Sequence, residues 1–308
     1  MKDGFLLIDK PAGFTSFDVV SKLRGIMHQK KIGHGGTLDP NVTGVLPIFV
    51  GRATKAIDIL PRQEKKYLAR IKLGVETDTQ DIWGNVVAES ESEKDIEKIR
   101  KAVESFKGEQ NQLPPMYSAI KINGVRLYDL AREGVIVPRN SRKINIFNIE
   151  FLGKTENEDE YEFSVYCSKG TYIRTLCADI GAQLGCGATM TCLTRTMALG
   201  FTLDRCVPLE TVQKMADEGR IDELIYPISE LFSDLPPIRL DEKQTRLYKN
   251  GVGLLPQRVS GVVYDSGYVI AEGQRYSVYG ADGKFIGIGA VEYPKREFRS
   301  VKMFFNEE

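Results

Sequence analysis

One carboxylate sits in a stretch made for an unusual backbone: "KKIGHGGTLDP", residues 30–40. Gly33, Gly35 and Gly36 permit backbone angles closed to other residues and let a ligand approach the main chain closely. Pro40 biases Asp39 towards an extended conformation. Such a turn could cradle a phosphate, supply half of a metal site, present a nucleophile, or merely connect two elements. A phosphate-binding P-loop requires GxxxxGK[ST], and here Gly36 is followed by Thr37-Leu38, so that reading fails. Hydrolysis by paired carboxylates needs a second acid across the scissile bond. Asp78 and Asp81 in "ETDTQDIWG" are candidates, although turn capping accounts for them as well. A single ionised carboxylate can also attack an anomeric carbon, provided that the leaving group departs unprotonated. A nucleobase anion such as uracil's is such a leaving group. If the base is kept, turned and rejoined through carbon, the reaction is an isomerisation. The pocket must then exclude water, stack an aromatic ring on the loose base, and hold an arginine against the aspartate to keep it charged. Tyr67 in "KKYLARIKLG" and Tyr172 and Arg174 in "GTYIRTLC" offer these groups.

Metal chemistry has little to work with. The five cysteines, at 167, 177, 186, 192 and 206, form no CxxC pair, and the histidines are His28 and His34 alone. An odd cysteine count in a chain of 308 residues argues against a disulfide framework. We expect reduced, mostly buried thiols and no metal site. No stretch approaches the ~20 apolar residues that span a bilayer, and "MKDGFLLIDKP" reads as a first strand rather than a leader. A cytoplasmic protein is the expectation.

The net charge of zero hides an asymmetry. Residues 1–72 hold 13 Lys or Arg against 6 Asp or Glu, whereas 76–109 hold 10 acidic against 5 basic residues. A localised positive field suits a polyanion bound at one face, with solvated charged faces as the plainer alternative. A second basic run, 117–146, has six positive residues against two negative and carries Tyr117 and Tyr128. Cations interleaved with aromatics fit looped or single-stranded nucleic acid, for backbone charge and base stacking respectively.

The elements that must position these residues read as mixed α and β. "GFLLIDKP", "GVLPIFVG" and "KKYLARIKLG" are strands, and "TSFDVVSKLRGIMH" is a helix with Thr15 and Ser16 as candidate caps. "DIEKIRKAVESFKG" is an amphipathic helix ended by Gly108. "KINIFNIEFLG" and "EYEFSVYC" flank a polar turn as a hairpin. "GTYIRTLCADIGAQLGCG" is a helix with positions 173, 176, 177, 180 and 184 on one face. From about residue 240 the texture changes to short strands with glycine-containing turns: "GVVYD", "YVIAEG", "RYSVYG", "KFIGIGAVEY" and "FRSVKMFF".

Four of these segments in order, "GHGGTLDPNVTGVLP", "KKYLARIKLG", "GTYIRTLCADIGAQLGCGA" and "LTR", closely resemble the TruB family, the bacterial tRNA pseudouridine-55 synthases. The likeness extends over essentially the whole chain, including "PPMYSAIKINGVRLYDLAREG" and a terminal segment that resembles a PUA RNA-binding barrel. It implies an α+β fold, a mixed and largely antiparallel sheet flanked by helices. A catalytic domain would span 1–238, with an RNA-binding insertion at about 117–146, and a PUA-like domain 239–308. It implies isomerisation of uridine-55 in the T-loop of tRNA, without metal or organic cofactor. By motif, Asp39 would be the nucleophile, Arg174 its partner, and Tyr67 the ring stacked on uracil, assisting loss of the C5 proton. His34 would fill the space of the flipped nucleotides, and Tyr172 and Leu193 would bound the base and offer backbone hydrogen bonds to its edge. Lys10 would support the loop. The chain departs from the family at Leu193-Thr194-Arg195, where many relatives have Leu-Arg-Arg. The segment "LYDLAREGVIVPRN" is similar to the stand-alone enzymes rather than the guide-RNA relatives. That implies a monomer bound to the T-arm of tRNA, with no membrane and no obligate protein partner. The alternative function is an RNA-binding or tRNA-folding protein that needs no chemistry.

Overall fold

The computed structural model describes residues 2–118, 120–122, 124–135, 137–256, 259, 273–292 and 295–305. The chain opens with strand β1 (Gly4–Lys10), helix α1 (Ser16–Ile26), and strands β2 (Ile32–His34) and β3 (Thr43–Val50). Thr15 and Asp18 close a capping box that fixes where α1 starts. β4 (Lys65–Leu73) is followed by the small hairpin β5 (Val75–Thr77) and β6 (Val86–Glu89). Helix α2 (Ile96–Glu104) is capped by Ser105, three residues before strand β7 (Gly108–Gln112) begins. Gly108, at φ +115°, therefore opens a strand rather than capping the helix. Two short strands, β8 (Lys121–Ile122) and β9 (Val125–Arg126), lead to helix α3 (Leu127–Arg132). The long hairpin β10 (Arg142–Lys154) and β11 (Glu160–Cys167), helix α4 (Ile173–Leu184), β12 (Ala188–Ala198), β13 (Phe201–Thr202) and helix α5 (Leu209–Asp217) complete the first part.

Nine of these strands form one sheet in the order β1-β3-β12-β4-β11-β10-β7, with β2 on β3 and β13 on β12, while β5-β6 and β8-β9 are separate two-stranded sheets. Every pairing is antiparallel except β12 against β3, which meet in parallel over only Thr194↔Thr43 and Arg195↔Gly44. That short contact joins the two halves of the sheet. β1 is apolar at every other position on both faces because both faces are covered. Leu6 and Ile8 join a core with α1, α2, α4 and α5, while Phe5 and Leu7 join a second core on the opposite side. β4 alternates instead, burying Tyr67, Ala69, Ile71 and Leu73 on the helical side. Gly185 in the left-handed region ends α4, and the helix runs so close to β12 that a Cβ on Gly181 would lie 2.3 Å from Ala188 N.

After residue 236 come β14 (Pro237–Arg239), helix α6 (Glu242–Lys249), β15 (Arg275–Tyr279), β16 (Phe285–Glu292) and β17 (Glu297–Met303), arranged in a four-stranded sheet. This fits the small β unit that the glycine-punctuated texture suggested. "GVVYD" and "YVIAEG", apart from Gly273, lie outside the described residues. The unit has its own core around Ile238, Tyr248 and Phe298, yet Ile288 and Phe304 share the second core with Phe5, Phe49 and Phe232. Arg275 Nη1 donates to Ile59 O at 3.0 Å across the same seam.

Candidate active site

The loop that carries Asp39 joins β2 to β3 and is held from two sides. Ser16, in the first turn of α1, takes the Leu38 N–H at 2.8 Å and returns its hydroxyl to Leu38 O at 3.2 Å. Lys10 is fully buried and spends its ammonium on three carbonyls, Pro11 O (2.8 Å), Phe14 O (2.6 Å) and Pro40 O (2.8 Å). This is the loop-supporting role expected of it. Arg195 is equally buried and reaches under the loop from β12, donating to Val45 O (2.8 Å), Gly36 O (3.2 Å) and Thr37 O (3.4 Å). The glycines serve this packing: a Cβ on Gly35 would sit 2.7 Å from the Phe49 ring, and one on Gly44 2.3 Å from Arg195 O.

Opposite this floor, Arg174 projects from the first turn of α4. The residue is 6% exposed, and its guanidinium bridges two carboxylates: Nη2 lies 3.1 Å from Asp39 Oδ2, and Nη1 lies 3.4 Å from Asp81 Oδ2. Nη2 also donates to Tyr117 O at 2.8 Å and Nη1 to Thr79 O at 3.1 Å, which locks the fork in place. Asp81 is further held by the Thr79 hydroxyl at 2.7 Å. The Asp39 side chain remains 46% exposed, so its second oxygen is open to a ligand. Asp78, the other acid of that segment, accepts both the backbone N–H and the side-chain amide of Asn85 and is a turn cap.

Asp39, Arg174, Tyr67, Tyr172 and Leu193 line one cavity of about 240 Å³. Register places Tyr67 opposite Arg195 and Leu193 opposite Ala69, so adjacent strands deliver the ring and the leucine to the same wall. Burial pushes the Tyr67 phenol up to about 12, against the pull of Arg195. The ring is thus neutral at physiological pH. His34 lies in an adjoining groove of about 850 Å³ that also contains Asp39, together with Phe17, Trp83, Tyr128 and Arg132. Burial, with Arg195 adding to it and the Gly36 backbone opposing, holds His34 below its ordinary range, which favours the neutral imidazole. Among the described residues no three His, Cys, Asp or Glu side chains come together as a metal site. Cys167, Cys177 and Cys186 are buried thiols, whereas Cys192 is exposed.

Two participants escaped the sequence. Gln112 of β7 clamps Tyr172 by its backbone, accepting its N–H at 2.8 Å and donating to its carbonyl at 2.9 Å. Tyr172 therefore has both main-chain groups engaged within the protein. Arg195 was visible only as the end of "LTR", and nothing in the sequence announces that its partners are carbonyls.

The sheet order and two family matches together define a pseudouridine synthase. Residues 24–173 match the TruB family pseudouridylate synthase N-terminal domain, and residues 174–233 the tRNA pseudouridylate synthase B C-terminal domain. The chain belongs to the TruB family. It is 45% identical over 302 residues to the tRNA pseudouridine synthase B of Clostridium tetani, covering 98% of this chain and 99% of that one. The Clostridium acetobutylicum counterpart is 42% identical over 301 residues, with 98% and 99% covered. Among solved structures, the chain is similar to Cbf5 in a Cbf5–Nop10–Gar1 complex, at TM-score 0.72 and 26% identity over 98% of this chain and 85% of that one. An archaeal box H/ACA Nop10–Cbf5 complex matches at TM-score 0.70 and 25% identity, over 98% and 86%.

Proposed function

We propose that this protein converts the uridine at position 55 in the T-loop of tRNA into pseudouridine, with Asp39 as nucleophile and no metal or organic cofactor. The observation that carries the reading is the sharing of Arg174 between two carboxylates. Asp81, the other carboxylate on Arg174, is tied to the arginine and to the Thr79 hydroxyl and does not line the cavity that holds Asp39 and Tyr67. Among the described residues hydrolysis by an acid–base pair finds no second acid in that cavity, while a leaving group that departs as an anion needs none. An oxygen of Asp39 attacks C1′, the C1′–N1 bond breaks, and its electron pair stays on uracil. The freed base turns over the Tyr67 ring, C5 bonds to C1′ as the carboxylate leaves, C5 loses its proton and N1 gains one. Elimination through a glycal would use the same residues.

A uridine in a folded loop must first be turned out, at a cost of a few kcal/mol. The groove beside the cavity, with neutral His34, Phe17 and Trp83, gives room and stacking surface for nucleotides displaced with it. The basic residues of 1–72 and 117–146 and the terminal sheet would grip the backbone of the T-arm, reading shape more than sequence. The protein acts as a single chain in the cytoplasm on this reading, with the catalytic part ending near residue 238. The test is incubation of unmodified tRNA transcript with the protein, followed by mapping of pseudouridine. Conversion confined to position 55 supports the proposal; a protein that binds the transcript tightly and modifies nothing would be an RNA-folding factor instead.

A further inference from the structure

We propose that Lys65 is a further catalytic residue, its ammonium stabilising the uracil anion as the base leaves C1′. The proposal rests on the pseudouridine-forming reading above and adds the group that meets the charge on the base.

Lys65 lines the same cavity as Asp39, Tyr67 and Leu193. It stands two residues before Tyr67 on β4, and side chains two apart on a strand share a face. A methyl group added at Gly36 would lie 3.6 Å from Lys65 Cε and 3.6 Å from Arg195 Nη1, so the lysine flanks the loop that leads to Asp39. Every other cation of the site is committed. Arg174 holds Asp39 and Asp81, Lys10 holds three carbonyls, and Arg195 holds three more. The Lys65 ammonium makes no hydrogen bond and no ion pair among the described residues. Burial and the neighbouring Arg195 bear against its charge, Lys169 adds to them, and Cys167 opposes.

A half-buried cation without a counter-charge is unfavourable at rest. It becomes favourable once an anion forms beside it, and groups fixed in advance where charge develops are a large source of rate enhancement. The charge does move during this reaction. As the Asp39 oxygen bonds to C1′, the carboxylate becomes a neutral ester and the electron pair of the broken C1′–N1 bond spreads over N1, O2 and O4 of uracil. Arg174 is fixed by Thr79 and Tyr117 and stays with the carboxylates. Lys65, on a flexible stem in the cavity itself, is the cation free to meet the base. It transfers no proton: when C5 bonds to C1′, the charge returns to Asp39.

The test is single-turnover cleavage of the C1′–N1 bond in a T-arm hairpin carrying either uridine or 5-fluorouridine at the target. Fluorine makes the uracil anion more stable, so the second substrate depends less on outside stabilisation. Lys65→Met should slow the uridine reaction about 100-fold while RNA affinity stays within a few-fold. With 5-fluorouridine the deficit should shrink to about 10-fold. Lys65→Arg should recover part of the rate on uridine, and Lys65→Gln, run beside the methionine variant with circular dichroism on both, removes dependence on one variant's folding. A wild-type rate in Lys65→Met overturns the proposal. So does an equal deficit on both substrates, or a loss confined to affinity with the saturated rate unchanged, which would mark a phosphate contact. A wild-type protein that converts no uridine overturns the underlying reading itself.

Discussion

The two sides of the cavity handle buried positive charge differently. On the α4 side Arg174 faces carboxylates, and on the opposite side Arg195 of β12 and Lys10 of β1 each donate to three backbone carbonyls, Arg195 meeting the Tyr67 side chain as well. The first arrangement sets charge against charge, with Arg174 Nη2 3.1 Å from Asp39 Oδ2. The second sets shape: dipoles cannot neutralise a cation, but six carbonyls pointed at two side chains fix the path of the loop between Lys10 and Val45. Asp39 thus has both a partner that meets its charge and a scaffold that fixes the shape of its loop.

Asp39→Asn breaks the charge side outright. It keeps the shape and should leave no detectable pseudouridine, with RNA affinity within about tenfold, roughly 1.4 kcal/mol. Near-normal turnover would erase the distinction between the two sides. Arg174→Lys keeps a charge but loses the planar fork, so the rate should fall about 10²–10³-fold with binding little changed, read from single turnover against filter binding. Arg195→Met attacks the shape side. It leaves three carbonyls without their donor, and urea unfolding should show a loss of about 3 kcal/mol.

Lys10 gives a smaller and pH-dependent signal. Burial pulls it down to about 8 from its ordinary 10.5. Below pH 8 the amine is protonated in both the folded and unfolded chain, and the buried charge weighs fully against folding. Between 8 and 10.5 the folded protein sheds its proton first, the unfolded chain binds more, and stability rises with pH by at most about 3 kcal/mol. Lys10→Met should flatten that rise in thermal melts across pH 7–11; an unaltered slope would mean that Lys10 does not titrate there. Finally, Arg220→Gln removes an exposed arginine that pairs with Glu218 and Glu223, far from either side of the cavity. It should move neither rate nor melting temperature measurably.

Local pattern carried much of the structure. The alternation of "KKYLARIKLG" placed Tyr67 on the buried face of a strand, and apolar spacing in "YIRTLCADIGAQL" put Arg174 at the start of a helix. What pattern could not carry is pairing between distant strands. β7, "GEQNQ", is a polar edge strand with little strand signature, so Gln112 and its hold on Tyr172 were invisible. β12 was read only through its "LTR", because threonines and small residues blur its alternation. Asp81 stayed one of two candidates until Arg174 came within 3.4 Å of it. Gly108 was assigned to the helix before it because a glycine after an amphipathic run reads the same whether it caps a helix or opens a strand.

The reach of Arg195 also has a meaning for synthesis. Gly36 and the arginine that steadies it are 159 residues apart, and β3 meets β12 only where those two stretches touch. At about 5–20 residues per second, the Asp39 loop waits roughly 10–30 s for its anchor while the chain is being made. Through that interval the inner edge of β3, part of the apolar run "GVLPIFV", lacks its β12 neighbour, an invitation to aggregation that a chaperone or rapid collapse must cover. The Asp39 loop therefore gains its Arg195 anchor only once nearly two thirds of the chain has been translated.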